Sequence, residues 1–192
     1  MKPQNKITFL GGDARQGKAA LRLVESGRFV SAFAGCPSAS EKINLPENID
    51  EAIKASSAVI LPLPSSVDGL TLNAPSYDLE TLRLDKIIDL ISETDKNILL
   101  IGGRIPKQVT EYAEQKGLRV IDYFVSESFQ IKNAYITAEA ALSVAMNNMK
   151  KSIRGAKFTI TGFGRIAKIL SAILIKLGGD VCVLARKESD LV

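Results

Sequence analysis

Five short segments carry residue types that suit anion chemistry. Gly162-Phe163-Gly164-Arg165-Ile166-Ala167 has the spacing G-x-G-x-x-G/A. In that pattern the first glycine permits a tight turn, the second lets backbone approach a pyrophosphate, and the small sixth residue lets the helix pack close to its strand. The chemistry implied is dinucleotide binding, with the phosphates facing the free N–H groups of a helix start. After the next apolar run comes Ala185-Arg186-Lys187, where an NAD-binding chain usually carries Asp or Glu for the ribose hydroxyl. Two cations there suit a 2′-phosphate, Arg through paired hydrogen bonds and Lys as a point charge, which favours NADP over NAD. Glu188 follows directly and would weaken that preference if it turned inward.

The other three segments lie in the first two-thirds of the chain: Gly11-Gly12-Asp13-Ala14-Arg15-Gln16, Pro62-Leu63-Pro64-Ser65-Ser66 and Gly102-Gly103-Arg104. Each follows an apolar run of strand length. In a parallel sheet such strand ends line one edge, where ligand crevices form. Arg15 and Arg104 suit two-point grips on carboxylates, so a dicarboxylate is the expected ligand, with Gly12, Asp13, Gln16, Pro64 and Ser65 around it. Asp13 and Glu139 are the candidate carboxylates for proton transfer. The bland alternative is that these glycines are turns and these arginines solvated.

Composition narrows the chemistry further. The chain has no histidine, so any base must be a carboxylate, Lys, Tyr or water. Its two cysteines, Cys36 and Cys182, lie far apart without metal-ligand spacing, and no metal site is expected. Cys182, inside an apolar run, is expected in the core, and Cys36 in a loop. The net charge of +4 comes from 25 cationic and 21 anionic residues that are scattered and form no stripe, which argues against nucleic acid. No run has the length of a membrane span or of a signal sequence, so a cytoplasmic protein in a reducing compartment is expected.

The elements needed to position these residues follow from periodicity. Strands are expected at 7–10, 29–34, 58–61, 98–101 and 119–122. Helices are expected at 14–25 (with Ala19, Ala20, Leu23, Val24 and Ser26 inward), 84–92 and 106–116, and a weaker one at 51–56. This reads as an N-terminal flavodoxin-like parallel-sheet domain, 1–136, for substrate. Thr137 is the expected N-cap of a long helix that crosses between domains, with Glu139 in its positive first turn. Strand 158–161, the glycine turn, helix 165–177 and strand 181–185 then make the first βαβ of a Rossmann NAD(P)-binding domain, 137–192, truncated here. A complete domain of that kind has further strand-helix units, so the chain is expected to be a fragment.

GGDARQ after the first strand, PLPSSVDG after the third, TAEAALSVAM in the long helix and GFGRIAKILSAILIKLGGDVCVLAR together resemble the family of dipicolinate synthase A-subunits, over essentially the whole chain. The family's motif has Gly after T-A-E where this chain has Ala140. GFGRIA alone also resembles 2-hydroxyacid dehydrogenases and adenosylhomocysteine hydrolase. The resemblance implies oxidation of dihydrodipicolinate to dipicolinate (pyridine-2,6-dicarboxylate), with hydride transfer to NADP or NAD, in the mother cell during sporulation. It also implies that a flavoprotein-like B-subunit of the synthase is the partner; a homo-oligomer is expected by fold analogy. The alternatives are a 2-hydroxyacid dehydrogenase-like oxidoreductase, which would need a histidine from further chain, and a noncatalytic nucleotide-binding subunit.

Overall fold

A computed structural model of the chain describes residues 5–35, 41–77 and 81–186. Cys36, Lys187 and Glu188, named above, lie outside them. The chain divides into two compact units, 1–125 and 126–192.

In the first unit, strands β1 (Lys6–Leu10), β2 (Phe29–Phe33), β3 (Ser56–Ile60), β4 (Leu99–Gly102) and β5 (Arg119–Asp122) form one sheet in the order β2-β1-β3-β4-β5. Every pairing is parallel. This is the flavodoxin-like order that the alternation of apolar runs and amphipathic stretches led us to expect. Successive side chains of a strand point to opposite faces, and both faces of the central strands are covered. On one face Phe9, Val30 and half-buried Ile60 pack with Ala20, Leu23 and Val24 of helix α1 (Ala14–Glu25). On the other, Leu10, Val59, Leu61 and Leu100 meet α2 (Ile49–Ile53), α3 (Leu84–Thr94) and α4 (Lys107–Gln115). The expected apolar stripe of α3, Leu84, Ile87, Ile88 and Ile91, is fully inside. In α1 the inward face is rotated from expectation. Gly17 and Ala20 are buried, whereas Ala19 and Ser26 are exposed, so the contact line runs through Gly17, Ala20 and Val24, at three- and four-residue spacing.

In the second unit a single helix, α5, runs Glu127–Asn148 and precedes β6 (Lys157–Thr161), α6 (Arg165–Lys176) and β7 (Asp180–Leu184), with β6 and β7 parallel. The start of α5 corrects the sequence reading. Ser126 is the N-cap, accepting from the Phe129 N–H, and Glu127 occupies the first turn. Thr137 lies mid-helix, its hydroxyl donating back to the Asn133 carbonyl at 2.7 Å. Glu139 is therefore an exposed mid-helix residue far from the positive helix end. Apolar residues occur all round α5, so spacing alone gave no phase for where it begins. Cys182 is also corrected: it is exposed. In β6 and β7 exposed and half-buried residues alternate, so one face of this two-stranded sheet is uncovered and Cys182 lies on it. Among the described residues no helix is long and apolar enough to cross a membrane.

Candidate functional site

Strands β1 and β3 are neighbours whose following helices cover opposite faces of the sheet. In folds of this kind ligands bind at such a switch point, outside the carboxyl ends of the strands. All of Gly12, Asp13, Arg15, Gln16, Pro64, Ser65 and Arg104 lie in loops or helix starts on that carboxyl edge.

Backbone hydrogen bonds stitch the loops together. The Gly12 N–H donates to the Asn73 carbonyl at 2.8 Å, the Asn73 N–H to the Ser65 carbonyl at 2.9 Å, and the Ser65 N–H to the Gly103 carbonyl at 2.9 Å. The Asn73 side chain adds a bond from Nδ2 to the Pro64 carbonyl at 3.0 Å. Asn73 thus joins the β1 and β3 loops by three bonds. Sequence spacing had no signal for it, because it lies in the long segment between β3 and α3. That segment is braced by Asp68, whose carboxylate accepts from the Leu70 and Thr71 N–H groups and from the Thr71 and Ser66 hydroxyls. These donors hold the carboxyl well below the usual carboxylate range, the two backbone N–H groups most strongly.

Asp13 is the N-cap of α1, accepting from the Arg15 N–H at 2.9 Å. The same carboxylate is gripped by the Arg15 side chain, Nε at 3.0 Å and Nη2 at 2.9 Å. Arg15 Nη2 also donates to the Leu63 carbonyl at 3.1 Å, so the guanidinium links the β1 loop to the β3 loop. The guanidinium bond lowers the pKa of Asp13, which makes this carboxylate a weak base. Both side chains stay largely exposed, 70% for Arg15 and 44% for Asp13, so the guanidinium also faces solvent. Gln16 instead turns toward the sheet, its Nε2 donating to the Ile60 carbonyl at 3.3 Å.

Arg104 sits at φ 51°, a left-handed conformation that few side chains adopt. Asp122 holds it there by accepting from the Arg104 N–H at 3.1 Å and the Ile105 N–H at 2.9 Å. The exposed Arg104 guanidinium lies 5.8 Å from the centre of the Phe124 ring. Gly103 is buried against Leu63 and Tyr123; a Cβ there would meet Leu63 Cδ1 and Tyr123 Cε2 and Cζ at 2.8 Å each. Tyr123, half-buried, is a further residue of this edge that the sequence reading missed.

In the second unit, strand β6 is followed by Gly162 at φ 93°, whose N–H donates to the Leu184 carbonyl of β7. Gly164 is the N-cap of α6, Ala167 is buried where the helix meets the sheet, and Gly162, Gly164, Arg165 and Ile166 are exposed. A Cβ on Gly162 or Gly164 would meet nothing within 4 Å, so open space lies over the glycine turn. The Arg165 side chain pairs with Glu127 at the start of α5, at 2.6 Å. Lys168 Nζ lies 4.9 Å from the centre of the Phe163 ring. Arg186 is exposed just after β7.

A doubly wound parallel sheet with Arg15 at its switch point, followed by a β-α-β unit with the form that opens a Rossmann fold, defines an α/β protein of two parallel-sheet units. Residues 6–124 match the family described as the N-terminal domain of the dipicolinate synthase A-subunit, and the chain belongs to that family. The dipicolinate synthase A-subunit of Bacillus subtilis (strain 168) is 24% identical over 196 residues, covering 97% of this chain and 62% of that protein. The crystal structure of the dipicolinate synthase A-subunit from Bacillus halodurans aligns at TM-score 0.75 and 20% identity, over 97% of this chain and 63% of that one. That of its Bacillus subtilis counterpart aligns at 0.68 and 21%, over 98% and 63%. The chain spans less than two-thirds of the length of these relatives.

Proposed function

We propose that the chain acts as the A-subunit of a dipicolinate synthase, an NADP-dependent oxidoreductase that converts dihydrodipicolinate to dipicolinate. The observation that carries this reading is the Arg15 guanidinium, held between the β1 and β3 loops by Asp13 and the Leu63 carbonyl while still facing solvent. A fixed cation at a switch point suits a carboxylate ligand. Arg104, clamped by Asp122, and the Ser65 and Gly12 loops would hold the second carboxylate.

The conversion removes one hydride and one proton and leaves an aromatic ring. The gain of aromaticity favours it, so a strong base is not needed, and a chain without histidine can serve. Glu139 or water takes the proton in this reading, and Asp13 orients Arg15. The residues around the glycine turn fit a dinucleotide, since the space over Gly162 and Gly164 is clear and Arg165 and Ile166 open a helix toward it. Phe163 flanks the turn, and Arg186, with Lys187, would meet a 2′-phosphate. When bound, the nicotinamide supplies the hydride acceptor. The protein's contribution is orientation of the two carboxylates. The reading extends to a cytoplasmic enzyme of the mother cell during sporulation, a homo-oligomer that works with a flavoprotein-like B-subunit.

The test supplies dihydrodipicolinate with NADP⁺ or NAD⁺, with and without the B-subunit, and follows dipicolinate and reduced nicotinamide by absorbance. Faster dipicolinate formation with NADP⁺ is expected. A preference for NAD⁺ would remove the 2′-phosphate role of Arg186. No acceleration over spontaneous oxidation, even with the B-subunit, would overturn the synthase reading.

A further inference from the structure

We propose that Asp122 is a positioning residue for Arg104: it holds the arginine in a left-handed conformation that offers an unpaired guanidinium to the second carboxylate of a planar dicarboxylate, whose first carboxylate pairs with Arg15. This rests on the substrate reading above and deepens it. The preference for a dicarboxylate over a monocarboxylate is assigned to one strained residue and to the side chain that keeps it strained.

Arginine stands here where the backbone favours glycine. At φ 51° Arg104 is left-handed, a conformation that costs stability for any residue with a Cβ. The two glycines before it do not meet that need. Neither has a positive φ. Each is small because space is short: a Cβ on Gly102 would meet Ile105 Cγ1 at 2.9 Å, and one on Gly103 would meet Leu63 Cδ1 at 2.8 Å. Among the described residues the other non-glycine residues with positive φ are alanines, Ala34 and Ala55. The fold gives the long side chain of Arg104 little to do. The residue is exposed, and its guanidinium makes no hydrogen bond or ion pair among the described residues. Its approach to the Phe124 ring, 5.8 Å to the centroid, is at the outer limit of a cation–π contact.

The strain persists because the peptide groups on both sides of Arg104 are held. Its N–H donates to Asp122 Oδ1 at 3.1 Å, and the next N–H, of Ile105, donates to Oδ2 at 2.9 Å. Asp122 Oδ1 also accepts from the Phe124 N–H at 2.8 Å, which fixes the carboxylate to the turn after β5. The hydroxyl of buried Ser65 donates to the Arg104 carbonyl at 3.3 Å. Asp122 ends β5 and Ser65 follows β3, so both strands that flank β4 hold the residue that follows it. These bonds use backbone groups alone and leave the guanidinium unoccupied. Arg15 differs, since its guanidinium is already engaged by Asp13 and Leu63. Strained residues held by their surroundings gather at ligand sites, where a side chain set in advance loses less freedom on binding.

The test is calorimetric titration of the chain with pyridine-2,6-dicarboxylate and with pyridine-2-carboxylate, together with thermal unfolding, for the wild type, Arg104→Gly, Asp122→Asn and the double variant. Arg104→Gly is expected to weaken the dicarboxylate at least about tenfold and the monocarboxylate less than about twofold, with a thermal midpoint no lower than wild type. Asp122→Asn is expected to lower the preference about threefold or more in the wild-type background. In the Arg104→Gly background it should leave the preference unchanged and cost less stability, because glycine does not need to be held. Equal weakening of both ligands by either single variant, or a preference within about twofold of wild type, would overturn the proposal and leave the substrate reading standing. Should Asp122→Asn alone fail to fold by circular dichroism, the double variant is expected to fold, and its failure would equally overturn the role of Asp122. A wild-type chain that binds neither ligand would remove the substrate reading itself, and this inference with it.

Discussion

Gly164→Ala separates the structural from the functional need for a glycine. At this position the backbone has φ −77° and ψ −175°, an extended conformation that any residue adopts. An added Cβ would meet nothing within 4 Å, so the fold has no steric objection to a methyl group. Alanine is a poorer helix N-cap than glycine, at a cost of about 0.5–1 kcal/mol. It also restricts the unfolded chain, which returns about 0.4–1 kcal/mol. The two effects nearly cancel, and the thermal midpoint should move by no more than about 2–3 °C. Cofactor binding should behave differently. If the open space over the turn receives a pyrophosphate, the methyl stands where backbone must approach, and affinity for NADPH should fall at least about tenfold, or about 1.4 kcal/mol. The assay is a fluorescence titration with NADPH, whose emission is free of tryptophan background in this chain. Gly162→Ala is the comparison. With φ 93° there, alanine is strained by about 1–2 kcal/mol, so stability and binding should fall together. NADPH affinity of Gly164→Ala within about twofold of wild type would refute the reasoning, since the second glycine would then serve neither fold nor ligand.

Gly103→Ala should destabilise the first unit by about 1–3 kcal/mol, because the new methyl meets Leu63 and the rigid Tyr123 ring at 2.8 Å on a backbone held by Asp122. Chemical denaturation read by circular dichroism checks this, and a stability unchanged from wild type would mean the packing at Gly103 is loose. Asp68→Asn should cost stability at neutral pH, with a gap that narrows in acid. The folded-state pKa of Asp68 is depressed, so its contribution is present above the ordinary aspartate range near pH 4 and is lost as pH falls through the folded value. Unfolding midpoints from pH 6 down to 2 test this, and a gap constant with pH would assign the loss to something other than the charge.

Much of the fold was legible because it rests on local physics. The bounds of α1 follow from Asp13 as N-cap and Gly27 at φ 83° beyond its end. The stripe Leu84, Ile87, Ile88 and Ile91 named the buried face of α3, and the glycine turn named the start of α6. That the GGD, PLPSS and GGR segments share one edge also followed from sequence, since parallel strands all end on the same side. The start of α5 was not legible, because its apolar residues lie all round the helix and the segment before Thr137 contains no breaker.

The sequence by itself determined which residue types stand at the carboxyl edge and at the glycine turn. Only the tertiary structure decided what each one does there. It turned Arg15 back onto Asp13 and across to Leu63, sent Gln16 to the Ile60 carbonyl, and used Asn73 to bind two loops together. It also brought Asp122 and Tyr123 against Gly103 and Arg104, almost twenty positions away. Periodicity and capping report contacts within a turn or two of chain. The orientation of a side chain in a crevice depends on partners distant in sequence, which come together only when the sheet has closed.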